Sequence, residues 1–156
     1  MKLRLVAAGA RLPAWVNAGF ADYARRLPPE TPLQLVEIAI ARKRSQGAAG
    51  RAIRDEGARM LKAAAPGAWV VALDVRGRAV DTAALAKWWA GRLLDGRDVV
   101  FLIGGPDGLA PQCLERADER LALSPLTFPH GLARVLLAEQ LYRAMSLLRG
   151  HPYHRE

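Results

Sequence analysis

The chain ends in a concentration of side chains that can do chemistry. Positions 151–156 include His151, Tyr153, His154 and Arg155. Chain ends are usually frayed and carry little function, but this set offers a proton acceptor, a stacking ring and a cation. His151 and His154 have no acidic or cysteine partner at the spacing of metal ligands, so we expect no metal site. The tail is therefore the first place to look for catalysis.

A glycine-rich segment, Gly104 to Gly108, directly follows an apolar run that is typical of a buried strand, Val99 to Ile103. Glycines at such a point let backbone N–H and C=O groups approach a ligand without interference from a Cβ atom. The segment lacks the Gly-Lys-Ser/Thr ending of a Walker A loop and the GxGxxG spacing of dinucleotide-binding folds. Two interpretations stay open: a ligand-binding loop, or a tight turn between a strand and a helix.

A second segment, Leu123 to His130, combines two prolines with small and apolar residues. Pro125 and Pro129 have a fixed backbone angle and no N–H donor, so we expect an ordered loop that is not helical. Such a loop can hold an adenine ring through backbone hydrogen bonds and apolar walls. By itself, the pattern fits a rigid connector equally well.

A long helix is predicted from Gly131 to Leu148, with apolar residues around most of its circumference. A helix of this kind needs cover on more than one side, which in a small domain indicates a second subunit. Glu139 and Arg143 stand four residues apart with the acid first, and this order supports a helix electrostatically. Arg134 has two open interpretations: a contact with a phosphate, or a residue on a solvated face.

The rest of the chain alternates strand-like and helix-like segments. The predicted strands are 3–8, 33–40, 69–73, 99–103 and 121–123. The predicted helices are about 13–27, 48–65, 81–93, 111–117 and 131–148. This alternation predicts a single α/β domain, residues 1–156, with a mostly parallel sheet. Ligands of such sheets bind outside the carboxyl ends of the strands, so Leu73–Asp74, Ile103–Gly105 and Leu123–Ser124 are candidate site positions.

Composition and charge indicate a cytoplasmic protein with an anionic partner. The 156 residues carry a net charge of +8, and a basic protein of this size concentrates nucleic acid around itself. No apolar run approaches the roughly 20 residues needed to cross a bilayer, and Met1 to Val6 is too short for a signal peptide. Cys113 is the one cysteine, so no internal disulfide can form.

Several segments together resemble one known family. They are Met1 to Leu3, Leu94 to Asp98, Ile103 to Gly108, Leu126 to His130, Ala138 to Ala144 and His151 to Glu156. In this order and spacing the chain resembles, from end to end, the ribosomal RNA large subunit methyltransferase H family of the SPOUT superfamily. These enzymes methylate N3 of a pseudouridine in large-subunit ribosomal RNA.

The resemblance implies a fold and a cofactor. It implies a trefoil knot near the C-terminus, a rare exception to unknotted chains, helices on both faces of the sheet, and a homodimer. It implies S-adenosylmethionine as methyl donor, with no metal. The positions that match the family's cofactor site are Leu73, Gly104, Leu123, Ser124, Pro125, Leu126, Thr127 and Phe128.

The resemblance also implies roles in catalysis and RNA binding. Arg155 is expected to stabilise negative charge on the base, and Tyr153 to stack on the base or hydrogen-bond to it. His154 or His130 is expected to accept the N3 proton. Arg134, Arg143 and His130 are expected to contact RNA. The substrate is expected to be ribosomal RNA in assembled ribosomes.

Two other function classes compete with this interpretation. A non-catalytic module that binds RNA or ribosomes would keep the fold and lose the chemistry, and a calorimetric test for S-adenosylmethionine binding separates it from an enzyme. A nucleotide hydrolase is disfavoured because the sequence has neither a phosphate loop nor a cluster of metal ligands.

Overall fold

The computed structural model describes residues 1–40 and 49–155. The basic stretch Arg42 to Arg44 and the predicted helix start at Ala48 lie outside the described residues. The strands are β1 (Leu3–Ala8), β2 (Leu33–Ile38), β3 (Trp69–Ala79), β4 (Val99–Ile103) and β5 (Glu119–Ala122). The helices are α1 (Ala14–Ala24), α2 (Ala49–Ala63), α3 (Thr82–Asp95), α4 (Pro111–Arg116), α5 (His130–Leu148) and a 3-10 helix, Pro152–Arg155.

The five strands form one sheet in the order β2-β1-β4-β3-β5, and every pairing is parallel. The prediction of an α/β fold with a mostly parallel sheet is therefore confirmed. The central strand β4 has five residues, all of them buried. Continuous hydrophobicity of this kind is what a strand needs when helices cover both faces of the sheet.

Alternate residues of the central strands enter two separate cores. On one face Phe101 packs with residues of α1, α3 and α5, including Phe20, Trp89 and Leu141. On the other face Val100 and its neighbours pack with residues of α2 and α4, Met60 and Cys113 among them. The predicted placement of helices on both faces is confirmed. The period of two along a strand is what divides one apolar run between two cores.

Helix α5 is covered largely by its own chain. It packs against α1 and α3, and its residues Leu137, Ala138, Leu141 and Ala144 are buried. The inference that a second subunit covers part of this helix stays a prediction. Leu132, Leu136 and Tyr142 are only half-buried, and Leu147 and Leu148 at the C-terminal end are exposed. The homodimer and the knot stay predictions.

Strand β3 is longer than the sequence suggested. It was expected to end at Leu73 but continues to Ala79 after an irregular segment, so that Leu121 of β5 pairs with both Leu73 and Arg78. The sequence does not reveal this continuation, because residues 74–78 are mostly polar and lack the hydrophobic pattern of a strand. Gly77 lies directly on the backbone of β5, where an added Cβ would stand 2.7 Å from Leu121 N and C.

Strand β5 begins two residues earlier than expected because Glu119 is anchored on both sides. Its Oε1 atom accepts hydrogen bonds from Trp69 Nε1 at 3.0 Å and from Trp88 Nε1 at 2.8 Å. Both indole donors are partly buried and need an acceptor. The carboxylate thus ties β3 and α3 to the edge strand.

Within the described residues, no helix is both long and apolar enough to cross a membrane.

We predict that Gly77→Ala destabilises the protein by about 1–3 kcal/mol, the usual cost of forcing an extra methyl into a packed site. The added methyl group at position 77 would clash with backbone atoms of β5, which cannot move away as a flexible side chain could. Gly91→Ala in α3 is the matched control, because its Cβ meets nothing within 4 Å and alanine favours a helix by about 0.5–1 kcal/mol. Urea unfolding measures both changes, and equal stability of the two variants would contradict the prediction.

Candidate active site

A pocket of about 600 Å³ opens at the carboxyl edge of the sheet. The irregular middle of β3 (residues 73–76), the ends of β4 and β5, and the segments that follow β4 and β5 form its walls. Its lining includes Leu73, Asp74, Val75, Arg76, Ile103, Gly104, Gly105, Leu121, Leu123, Ser124, Leu126, Thr127, Phe128, His130 and Ala133. The three strand ends named from the sequence meet here, as the geometry of parallel sheets requires.

The structure brings together almost all the residues expected to hold a cofactor. Leu73, Gly104, Leu123, Ser124, Leu126, Thr127 and Phe128 line the pocket, whereas Pro125 is absent from the lining. Val75, Arg76 and Ala133 also line the pocket and were not expected from the sequence. Val75 and Arg76 lie in the irregular part of β3, beyond the predicted strand end at Leu73, and Ala133 lies in the first turn of α5. The orientation of α5 toward the pocket was the missing information.

Gly104 is required by the turn that it begins. An added Cβ at Gly104 would stand 2.3 Å from the carbonyl carbon of Gly108. Gly108 donates its N–H to the carbonyl oxygen of Gly105 at 2.9 Å and has a φ of +81°, a conformation that glycine adopts without strain. The two interpretations of this segment are therefore compatible: it is a tight turn, and that turn forms a wall of the pocket.

The opposite wall is the loop from Leu123 to Pro129. The Ser124 hydroxyl accepts the N–H of Leu126 at 3.0 Å, a local bond that stabilises a turn. Leu126 itself is 70% exposed although it lines the pocket, so this wall presents an apolar side chain at the pocket mouth. The loop is neither helix nor strand, as its two prolines predicted.

His130 is the first residue of α5 and links the two walls. Its Nδ1 atom lies 2.8 Å from the carbonyl oxygen of Gly104, and Arg134 Nε donates to its Nε2 atom at 2.8 Å. Burial lowers the pKa of His130, and the nearby Arg134 guanidinium lowers it further, against the opposing effect of the Gly104 carbonyl. Both ring nitrogens are occupied. In this geometry neither ring nitrogen is open to a base or to RNA, and the two roles expected of His130 stay untested predictions.

Arg134 is completely buried, with 0% exposure. Its Nη1 donates to Glu37 Oε2 at 2.9 Å and its Nη2 donates to the carbonyl oxygen of Gly9 at 2.6 Å. Both interpretations from the sequence, a phosphate contact and a solvated face, are wrong. The side chain points from α5 to the ends of β1 and β2, and nothing in the local helical pattern revealed those distant partners.

The C-terminal tail folds back onto α5. The predicted pair of Glu139 and Arg143 is present, with Arg143 Nε donating to Glu139 Oε1 at 2.8 Å. The Tyr153 hydroxyl donates to the same Glu139 oxygen at 3.1 Å, and its ring lies 4.7 Å from that of Tyr142. Burial raises the pKa of Tyr153, and the Glu139 carboxylate adds to the rise. The phenol is therefore neutral and acts as a hydrogen-bond donor.

Neither Tyr153 nor Arg155 lines the pocket of its own chain. Arg155 is exposed, and the structure does not describe the side chain of His154. The catalytic roles of these three residues, and the contact of Arg143 with RNA, stay predictions. The catalytic roles of the tail residues would require the tail to reach the pocket of a second copy of the chain.

Cysteine and metal chemistry have no support in the described part of the chain. Cys113 is buried, and burial raises the pKa of its thiol to about 11. It is therefore protonated near neutral pH and is a poor nucleophile. Among the described residues, no group of three or more potential ligands is placed to hold a metal ion.

Comparisons with known proteins agree with this architecture. A family model described as "Predicted SPOUT methyltransferase" matches residues 1–154. The protein called Ribosomal RNA large subunit methyltransferase H from Alkalilimnicola ehrlichii is 57% identical over 155 residues, which is 99% of each chain.

Two solved structures show the same fold at low sequence identity. TrmJ from Z. mobilis ZM4 has a TM-score of 0.52 and 20% identity, over 92% of this chain and 70% of that chain. The putative methyltransferase Lpg2936 from Legionella pneumophila, solved with bound SAM, has a TM-score of 0.50 and 9% identity, over 93% of this chain and 66% of that chain. With the family match over residues 1–154, the conclusion is that the chain belongs to the SPOUT methyltransferase family.

Proposed function

We propose that this protein is a cytoplasmic, S-adenosylmethionine-dependent methyltransferase that modifies N3 of a pseudouridine in large-subunit ribosomal RNA. The observation that carries the proposal is that one pocket brings together the middle of β3, the ends of β4 and β5 and most of the residues expected to hold the cofactor. The 57% identical relative is called Ribosomal RNA large subunit methyltransferase H, which supports this choice of substrate.

The pocket suits S-adenosylmethionine in size and chemistry. Its volume of about 600 Å³ lies within the range of roughly 300–1,000 Å³ that small-molecule sites occupy. Leu123, Leu126 and Phe128 offer apolar walls for an adenine ring, and only glycine fits at position 104, where the chain turns back on Gly108. Asp74 places a carboxylate in the lining, which suits a ligand with cationic groups. When bound, S-adenosylmethionine supplies a methyl group on a positively charged sulfur.

In our proposal the C-terminal tail supplies the groups that act on the RNA base. The N3 proton of the base must leave, and negative charge then develops on the ring and its carbonyl oxygens. In our proposal Arg155 stabilises that charge, Tyr153 stacks on the base or hydrogen-bonds to it, and His154 accepts the proton. Since the tail does not line its own pocket, we propose a homodimer in which each tail serves the partner's site.

The RNA is held mainly through its phosphates. A net charge of +8 favours an RNA partner and implies binding that weakens steeply with salt. Arg143 belongs to this surface in our proposal. We propose the assembled ribosome as the substrate, because it presents the base in a fixed shape.

We predict that Gly104→Ala weakens S-adenosylmethionine binding at least about tenfold, because a methyl group 2.3 Å from Gly108 forces the pocket wall to move. Isothermal titration calorimetry measures the affinity, and circular dichroism checks that the variant is folded. Gly91→Ala makes the same chemical change in open space and should bind like wild type. Wild-type protein that binds no S-adenosylmethionine would refute the proposed function and favour a non-catalytic RNA-binding module.

We predict that Arg155→Ala abolishes methylation, with a loss of about 100-fold or more, while the affinity for S-adenosylmethionine changes less than about threefold. The exposed Arg155 does not line its own pocket, so its loss should remove charge stabilisation without disturbing the cofactor. Arg51→Ala, an exposed arginine of α2, controls for the loss of one positive charge. Retained methyl transfer by Arg155→Ala would remove the tail from the mechanism.

The substrate is tested in cells. In a strain that lacks the gene, mass spectrometry of large-subunit ribosomal RNA should show the loss of one methyl group on one pseudouridine. Purified protein and S-adenosylmethionine should restore the methyl group on ribosomes from that strain and act poorly on free RNA. An unchanged modification profile would overturn the choice of substrate.

A further inference from the structure

The two walls of the pocket are joined by one side chain, the imidazole of His130. This residue directly follows the loop Leu123 to Pro129, which forms one wall. Its Nδ1 atom lies 2.8 Å from the carbonyl oxygen of Gly104, where the other wall begins. His130 and Gly104 are 26 residues apart in sequence, so this bond sets a distance that neither loop determines alone.

Arg134 determines which atom donates in each of the two hydrogen bonds that His130 makes, one with Arg134 and one with Gly104. A guanidinium has only N–H donors, so the 2.8 Å contact from Arg134 Nε makes His130 Nε2 an acceptor. The proton of the neutral ring therefore sits on Nδ1 and is donated to the Gly104 carbonyl. A doubly protonated ring would turn an N–H toward the Arg134 N–H, and the burial that lowers the pKa of His130 also opposes that state.

Arg134 is itself anchored by two groups at the carboxyl ends of the neighbouring strands β1 and β2. Its Nη2 reaches the Gly9 carbonyl at 2.6 Å and its Nη1 reaches Glu37 at 2.9 Å. Gly9 has a φ of +124°, and its N–H bonds to Ile38 O at 2.8 Å, which holds this carbonyl in place. The imidazole is thus held by a frame at the ends of β1 and β2, in which Arg134 is buried and Glu37 is partly exposed.

We propose that His130 is a positioning residue: as a neutral donor held by Arg134, it fixes the Gly104 carbonyl wall of the pocket against the Leu123–Pro129 wall, and so sets the fit to the cofactor. This inference rests on the proposed binding of S-adenosylmethionine in the pocket. It gives His130 no part in proton transfer, because neither ring nitrogen is free to take a proton from a base.

Two substitutions separate the donor from the acceptor. In His130→Asn the side-chain amide can replace Nδ1–H as donor to Gly104, whereas in His130→Gln the amide extends toward the former Nε2 position and leaves that carbonyl unpaired. We expect His130→Gln to weaken S-adenosylmethionine binding about tenfold, and His130→Asn less than about threefold, since one lost hydrogen bond to a buried group is worth about a factor of ten. Lys87→Gln, on the exposed side of α3, is the control.

The readouts distinguish positioning from other roles. Calorimetry gives Kd, and single-turnover methylation at saturating S-adenosylmethionine gives the chemical rate. Positioning predicts a raised Kd in the Gln variant, with the rate largely restored at saturation. If His130→Gln binds as tightly as His130→Asn, or if both variants lose the chemical rate with an unchanged Kd, the proposal is wrong. Failure of the proposed function shows differently, as wild type that does not bind S-adenosylmethionine.

A measurement on the unaltered protein covers the case in which a variant does not fold. Nitrogen-15 NMR of the histidine rings reports which nitrogen carries the proton. At pH 7 His130 should be neutral with the proton on Nδ1, both with and without S-adenosylmethionine. A ring protonated on Nε2, or a charged ring, would overturn the proposal.

Discussion

A positive charge buried without solvent governs the arrangement around the pocket. Arg134 has 0% exposure, and an unpaired charge in such a place is strongly destabilising, so each of its three nitrogen atoms needs a partner. Gly9, Glu37 and His130 provide those partners. Because they come from three different elements, the charge can be accommodated only when β1, β2 and α5 meet at one point.

This requirement has a consequence for the site. The imidazole that accepts from Arg134 also bonds to Gly104, so the geometry of the buried frame is passed directly to the pocket wall. The arrangement resembles the support that outer residues give to metal-ligating histidines, where the second ring nitrogen fixes the tautomer and the ring orientation. A rigid pocket of this kind limits the loss of freedom when a ligand binds.

The proposed cofactor residues and the proposed catalytic residues lie in different parts of the chain. The pocket lies at the carboxyl edge of the sheet, where three strand ends and two loops converge. Tyr153 lies instead against Glu139 and Tyr142 on α5. A single copy therefore holds the proposed cofactor residues in one place and the proposed catalytic residues in another. The division makes a second copy the natural way to complete the site.

The sequence by itself determined the features that depend on near neighbours. The apolar run Val99 to Ile103 specified a buried strand, the prolines at 125 and 129 specified a loop, and the spacing of Glu139 and Arg143 specified a pair on one helix face. The strand ends of an α/β chain then located the pocket. What only the tertiary structure decided depends on partners far along the chain: Arg134 meets Glu37 across 97 residues, and β3 continues past Leu73 because β5 pairs with it. Periodicity reports which face of an element is apolar, whereas the partner of a buried polar group is set by how whole elements pack.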